Sequence, residues 1–109
     1  MTKVYIFKKN DKICGFQVKG HTGYAEEGQD IVCASVSTAT QMAALGLREV
    51  LGLEVEVQVI DAFLLVRLNS EDLENHSAQD ILKTMQVTLE EIAKTYGRFV
   101  KMEVKEDVS

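Results

Sequence analysis

Two pairs of short β-rich segments, each followed by a longer helical segment, restrict most strongly how this chain can fold. Apolar residues alternate with polar ones along most of these segments, as in strands with one buried face. Turn residues separate the members of each pair, Asn10-Asp11 in the first and Asp61-Ala62 in the second. The predicted strands are residues 3–8, 12–19, 54–59, 63–68 and 99–104.

Two helices are predicted between these strands. The first runs from an N-cap at Asp30 to about Leu51, where Gly52 can end it, and most of its faces are small or apolar. The second covers residues 78–96, with Ser77 and Asp80 as a capping arrangement. Its apolar residues recur at helical spacing and form one buried stripe: Ile81, Leu82, Met85, Leu89, Ile92 and Tyr96.

The resulting order, ββαββαβ, predicts an α+β fold in which two helices pack on a mostly antiparallel sheet. With 109 residues, 46% of them hydrophobic, the chain fits a single domain over residues 1–109 with a modest core. The apolar first helix is expected to be buried on several sides, and a subunit interface is one way to cover it.

Charge and composition exclude several classes of partner. Twelve Lys and Arg against 17 Asp and Glu give a net charge of −5, and the largest basic clusters are Lys8-Lys9 and Arg98 with Lys101. We therefore expect no direct nucleic-acid partner, and a basic peptide suits this charge better. No 18-residue apolar run or secretory signal is present, so we expect a cytoplasmic protein with reduced thiols and no membrane association.

A glycine-bearing loop between the second strand and the first helix carries reactive residues at both ends. The loop, GHTGYAEEGQD, covers residues 20–30, with His21 at its start and Cys33 just beyond it. A strand's end and the next helix's start commonly share one edge of a layered domain, so His21 and Cys33 can meet as base and nucleophile. If Asp30 caps the helix, Cys33 lies in its first turn, where unsatisfied N–H groups favour a thiolate.

The neighbouring residues have expected roles of unequal weight. The N–H groups of Cys33 and Ala34 can receive a developing oxyanion. Asp30 either only caps the helix or also orients His21. Ser37, one turn after Cys33, either bonds within the site or bonds back to a helical carbonyl. The remaining candidates for substrate binding and loop conformation are Gly20, Gly23, Glu26, Glu27 and Gly28.

The same residues also fit plainer interpretations, and spacing excludes some chemistries. Cys33 can be a small buried residue and His21 an ordinary loop histidine. The absence of a C-x-x-C motif argues against dithiol exchange, and the absence of an arginine before Arg48 near the cysteine argues against a phosphatase. Two cysteines and two histidines at these spacings make no zinc set, so we expect no metal and no cofactor.

The other cysteine and the other histidine are expected to lie outside the site. Cys14 is in phase with Phe16 and Val18, which predicts a thiol in the core. His76 lies in the polar stretch ENHS before the second helix, where we expect it to be exposed.

The chain resembles, over essentially its whole length, the bacterial ribosomal-processing cysteine protease family (Prp). The residues that carry this resemblance are the segment GHTGYAEEGQDIVCASVSTAT, the small-residue helix and the ββα remainder. The resemblance implies a homodimeric enzyme that removes the N-terminal extension, ending in an aromatic-rich stretch, of the large-subunit ribosomal protein numbered twenty-seven. It implies Cys33 as nucleophile and His21 as general base, with Asp30 in support and Ser37 matching a family serine. Loop 22–29 would cover the site and become ordered when peptide binds.

Two other functions remain as alternatives at this point. One is a non-catalytic ribosome-associated binding module, which the absence of a basic face interleaved with aromatic residues disfavours. The other is a redox-sensing thiol protein, in which Cys33 would react with peroxide but not with a peptide.

Overall fold

A computed structural model describes residues 1–20 and 29–107, with residues 29 and 30 described as backbone alone. The predicted order ββαββαβ is confirmed. The α1 helix continues into a π-helical turn, Gly46–Val50, and a short 3₁₀ turn, Ser70–Asp72, precedes α2. The main elements are β1 (Thr2–Lys9), β2 (Lys12–Gly20), α1 (Gln29–Leu45), β3 (Val55–Ile60), β4 (Phe63–Leu68), α2 (His76–Thr95) and β5 (Val100–Glu106).

The five strands form one mixed sheet in the order β3-β4-β2-β1-β5. Only β1 and β5 pair in parallel, and the other three pairs are antiparallel, so the predicted α+β fold with a mostly antiparallel sheet is confirmed. The register places Thr2, the first residue of β1, between Gly20 of β2 and Val100 of β5. Thr2 therefore lies at the end of the sheet where β1 begins and where the chain leaves β2 toward α1.

Both helices cover the same face of the sheet. Val4 and Ile6, which alternate along β1, share one core cluster with Val36 of α1 and Leu82 of α2. This cluster also contains Phe16 of β2. Within residues 1–20 and 29–107, no helix has the length and apolar character needed to cross a membrane.

The helix ends differ in detail from the prediction. The α1 helix begins at Gln29, so Asp30 lies inside it and the prediction of Asp30 as its N-cap is wrong. At the other end, Gly52 has φ +68° after the π-helical turn, as expected for a glycine that ends a helix.

The cap of α2 was also predicted wrongly. Asn75 is the N-cap, and its side-chain oxygen accepts a 2.9 Å hydrogen bond from the Ala78 N–H. The helix therefore starts earlier than the arrangement of Ser77 with Asp80 requires. His76 is its first residue and is exposed, as expected.

Strand β2 contains an irregularity at Cys14. Phe7 pairs with Gly15 while Lys8 pairs with Ile13, which leaves Cys14 as an extra residue without a partner position in β1. Ile13 takes the position in the core cluster, and Cys14 is buried outside that cluster. Cys14 is buried, as predicted, but it is not in phase with Phe16, because the bulge shifts the alternation by one residue.

Candidate active site

Cys33 lies near the start of α1, at the end of the sheet where β1 begins and β2 ends. Its Sγ is 3.2 Å from Oγ1 of Thr2, a hydrogen-bond contact between side chains 31 residues apart. The cysteine is partly exposed and is not part of a disulfide. Strand pairing therefore brings a threonine to the sulfur, and Cys33 keeps access to solvent.

Gly20 brings the chain to this end of the sheet, directly before His21. It pairs with Thr2, and its N–H donates to the Ala62 carbonyl at 3.0 Å. A methyl group built on Gly20 would lie 2.6 Å from the Met1 carbonyl oxygen and 2.7 Å from the Thr2 Cα, which leaves no room for any side chain. Residue 20 must therefore be glycine for β2 to end against Thr2.

The predicted base and most of the loop candidates belong to the segment between β2 and α1. His21, Gly23, Glu26, Glu27 and Gly28 lie outside the described residues, and Asp30 is described only as backbone. What the structure does show is that Gly20, the residue before His21, lines the same depression as Cys33.

This depression, which we call the Cys33 groove, runs between α1 and the β3–β4 hairpin and has a volume of about 430 Å³. Cys33 lies at one end and Arg48 at the other, and Ser37, one turn after Cys33, lines the groove beside it. The strand side is apolar and is formed mainly by Val18, Val57, Val59, Ile60 and Leu64. A groove of this kind can accept an extended peptide with apolar side chains.

The predicted oxyanion donors have a different geometry. Because α1 begins at Gln29, the N–H groups of Cys33 and Ala34 come after the first four residues, whose N–H groups have no helical acceptor. They point along the helix to the carbonyls of residues 29 and 30. The Ala34 side chain is exposed and lies outside the groove, between α1 and α2 together with Ile31 and Thr38. The expectation that these N–H groups are unsatisfied was wrong.

Thr2 is a site residue that was not predicted from the sequence. Its contact with Cys33 depends on the register of β1 with β2 and β5, which no local pattern encodes. The predicted first strand began at residue 3 and left Thr2 outside it, whereas β1 begins at Thr2.

The second cysteine has an environment that suppresses nucleophilic chemistry. Burial, followed by the hydrogen bond and charge of Asp107, raises the pKa of the Cys14 thiol from 9.0 to about 11, and Arg67 offsets part of this rise. The Cys14 Sγ lies 3.4 Å from Asp107 Oδ2 and 3.4 Å from the Phe7 carbonyl oxygen. Cys14 therefore stays protonated at neutral pH, and Cys33 is the thiol available for reaction.

A partly exposed thiol at the end of an apolar, peptide-sized groove is the arrangement of a thiol hydrolase. The chain matches the sequence model of the family described as Cysteine protease Prp over residues 1–101. It therefore belongs to this family and is a cysteine protease. The sequence left three functions open: a cysteine protease, a non-catalytic binding module and a redox-sensing thiol protein. The family match agrees with the cysteine protease.

Related proteins give the same assignment. The ribosomal processing cysteine protease Prp of Staphylococcus aureus is 28% identical over 94 residues, covering 86% of this chain and 89% of that protein. A crystal structure of Prp from S. aureus with a covalently linked product peptide has a TM-score of 0.84 at 27% identity, covering 96% of this chain and 100% of that one. A Streptococcus mutans structure shares the fold, with a TM-score of 0.89 at 21% identity and coverage of 98% and 96%.

Proposed function

We propose that this protease removes the N-terminal extension of the large-subunit ribosomal protein numbered twenty-seven, through an acyl-enzyme on Cys33. The observation that carries this proposal is the position of Cys33 at the end of an apolar groove, beside the strand end that leads into His21. The related S. aureus protein is named for ribosomal processing and has been crystallised with a covalently linked product peptide.

The reaction follows the chemistry of a thiol and an imidazole. His21 accepts the Cys33 proton, and the thiolate attacks the carbonyl carbon of the scissile peptide bond. When the tetrahedral intermediate collapses, the C–N bond breaks and His21 gives its proton to the leaving amine, which leaves a thioester on Cys33. Water, deprotonated by His21, then attacks the thioester. This step releases the acyl product as a carboxylic acid and restores the Cys33 thiol.

Supporting residues can act from both sides of this pair. Ser37 lines the groove one turn from Cys33 and can contact the peptide or the reacting groups. Asp30 precedes Cys33 by three residues on α1, and in this proposal its carboxylate supports His21. With the Cys33 and Ala34 N–H groups directed along the helix, oxyanion stabilisation requires another donor or a local opening of the first helical turn.

The groove fits an aromatic or aliphatic stretch next to the cleavage site. Val57, Val59 and Leu64 offer apolar contacts along the strand side, and Val59 is 72% exposed although it is a large aliphatic residue. In this proposal the segment between β2 and α1 covers the bound peptide, and its Glu26 and Glu27 suit basic residues beyond the cleavage site.

A homodimer in the cytoplasm completes the proposal. The helical layer leaves several large apolar side chains exposed, which an interface between two copies would bury. These are Ile31, Met42, Val50 and Val87, with exposures of 69%, 60%, 79% and 58%. A second copy of the chain would cover them.

The test is mass spectrometry of a synthetic peptide that spans the junction of the extension. Wild type is expected to cleave it once and to form a transient adduct of the acyl fragment on Cys33. Cys33→Ala and His21→Ala are expected to leave the peptide intact, and Cys14→Ala, the matched control, is expected to cleave like wild type. Undiminished cleavage by Cys33→Ala contradicts the proposal.

A further inference from the structure

Thr2 is a polar residue that is almost completely buried where the sheet meets the start of α1. Only 4% of its surface is exposed. Its backbone is held on both sides, because it pairs with Gly20 and Val100 and its N–H donates to the Phe99 carbonyl at 2.9 Å. The position of the Thr2 side chain is therefore set by three segments of the sheet.

The Thr2 hydroxyl is directed at the nucleophile. Within the described part of the chain, its hydrogen-bond partner is Cys33 Sγ, at 3.2 Å. While the sulfur carries its proton, either atom can donate. Once Cys33 is a thiolate, the sulfur can only accept, and the hydroxyl must donate. The same geometry thus serves both protonation states of the cysteine.

A second buried threonine, Thr40, has a different kind of hydrogen-bond partner from Thr2. Thr40 of α1 is 0% exposed, and its hydroxyl donates to the Val36 carbonyl at 2.9 Å, one turn back along its own helix. The Thr2 hydroxyl instead reaches from the sheet to a side chain on the helix. The contact therefore links the strand end to the sulfur.

We propose that Thr2 is a positioning residue for the nucleophile, with its hydroxyl donating to the Cys33 thiolate and holding Sγ toward the Cys33 groove. A cysteine side chain can rotate between staggered positions, and a hydrogen bond available in only one of them favours that one. This inference adds a residue to the proposed reaction, and its acyl-transfer part rests on the proposed function.

Three variants test the proposal. Thr2→Val keeps the branched shape and removes the hydroxyl, Thr2→Ser keeps the hydroxyl and removes the methyl group, and Thr40→Val removes the other buried hydroxyl. Alkylation of Cys33 by iodoacetamide at neutral pH is measured for all three by mass spectrometry. Single-turnover acylation by the junction peptide is measured for the two Thr2 variants.

We expect Thr2→Val to be about tenfold slower in both reactions, the effect of one hydrogen bond to a charged acceptor, with little change in KM. Thr2→Ser is expected to react nearly as fast as wild type. Thr40 also lines the Cys33 groove, so Thr40→Val is compared in alkylation alone. It is expected to be less stable but to be alkylated at the wild-type rate, because the Thr40 hydroxyl bonds to the helical carbonyls of Val36 and Ser37.

Three results overturn the proposal: wild-type rates in Thr2→Val, rates in Thr2→Ser as low as in Thr2→Val, or a loss of alkylation rate in Thr40→Val equal to that in Thr2→Val. If circular dichroism shows that Thr2→Val does not fold, Thr2→Ala replaces it in the same comparison. If wild type is alkylated but leaves the peptide intact, the proposed function fails, and the alkylation rates still decide the role of Thr2.

Discussion

The side-chain amide of Gln79 binds both backbone groups of Ile13. Its Oε1 accepts from the Ile13 N–H at 2.9 Å, and its Nε2 donates to the Ile13 carbonyl at 2.9 Å and to the Leu73 carbonyl at 3.0 Å. Gln79 is 3% exposed, so these bonds form without competition from bulk water. One side chain of α2 thus satisfies the backbone of β2 next to the bulge at Cys14.

Gln79→Leu should therefore be strongly destabilising. The substitution leaves the two buried backbone groups of Ile13 and the partly buried Leu73 carbonyl without this partner, and we expect the free energy of unfolding to fall by about 3 kcal/mol. Urea denaturation measures the loss. Gln86→Leu, on the same helix and half-buried, is the control and should change stability much less. A Gln79→Leu variant as stable as wild type would show that the three bonds contribute little.

Gly20→Ala should damage both the fold and the site. The new methyl group would lie 2.6 Å from the Met1 carbonyl oxygen, so the end of β2 must move away from Thr2, at a cost of about 2 kcal/mol. Alkylation of Cys33 should slow together with the loss of stability. Gly52→Ala is the matched control: its φ of +68° is unfavourable for alanine, but no atom lies within 4 Å. It should cost about 1 kcal/mol and leave the alkylation rate unchanged.

Cys14 should make stability fall in alkaline solution. Because the pKa of its thiol is raised from 9.0 to about 11 in the folded chain, the folded state keeps a proton that the unfolded state loses between these values. Its contribution is therefore complete below pH 9.0 and is lost as the pH rises toward about 11. Urea unfolding at about pH 8 and about pH 10.5 should show a larger decrease for wild type than for Cys14→Ala. Equal decreases would exclude this thiol as the cause.

Val59→Glu should weaken peptide binding and leave the chemistry intact. Val59 is 72% exposed in the Cys33 groove, so glutamate fits without strain but removes an apolar contact. Loss of one buried valine contact corresponds to a rise in KM of about tenfold, with kcat little changed. Val104→Glu, on β5 and 47% exposed, is the control. A fall in kcat at constant KM would place the peptide elsewhere.

Ile31→Glu combined with Met42→Glu should yield a monomer if the exposed helical surface joins two copies. Both residues are exposed on α1, at 69% and 60%, so the charges should not affect the core. Analytical ultracentrifugation of wild type should give a dimer, and the Val104→Glu control should also give one. A double variant that remains dimeric would place the interface on another surface.

Much of the architecture follows from residue periodicity. The strand predicted at residues 63–68 coincides with β4, and the strand predicted at residues 54–59 is shifted by one residue from β3. The agreement is close because the pattern of apolar residues restricts where each strand begins and ends. The bulge was not predictable, because Cys14 and Ile13 are both apolar and either can occupy the core position. The cap of α2 was placed two residues too late, at Ser77, whereas the structure has Asn75 as the N-cap.

The candidate site was predictable only in part. The loop glycines and the small-residue helix single out Cys33 from local sequence alone, and the helical spacing predicts Ser37 on the same face. The contact with Thr2 depends on three strands in register, which one sequence does not display. The free N–H groups expected at Cys33 depended on a helix start that lies earlier than predicted, at Gln29.

The parallel pairing of β1 with β5 has a consequence for when the enzyme becomes competent. Thr2 is held on one side by Val100 and by the Phe99 carbonyl, residues that the ribosome adds nearly a full chain length later. During synthesis, a chain that stops short of this strand has Cys33 and the loop but lacks half of the support for Thr2. A nascent chain that has not yet added β5 should therefore react more slowly at Cys33 than one in which β1 and β5 are paired.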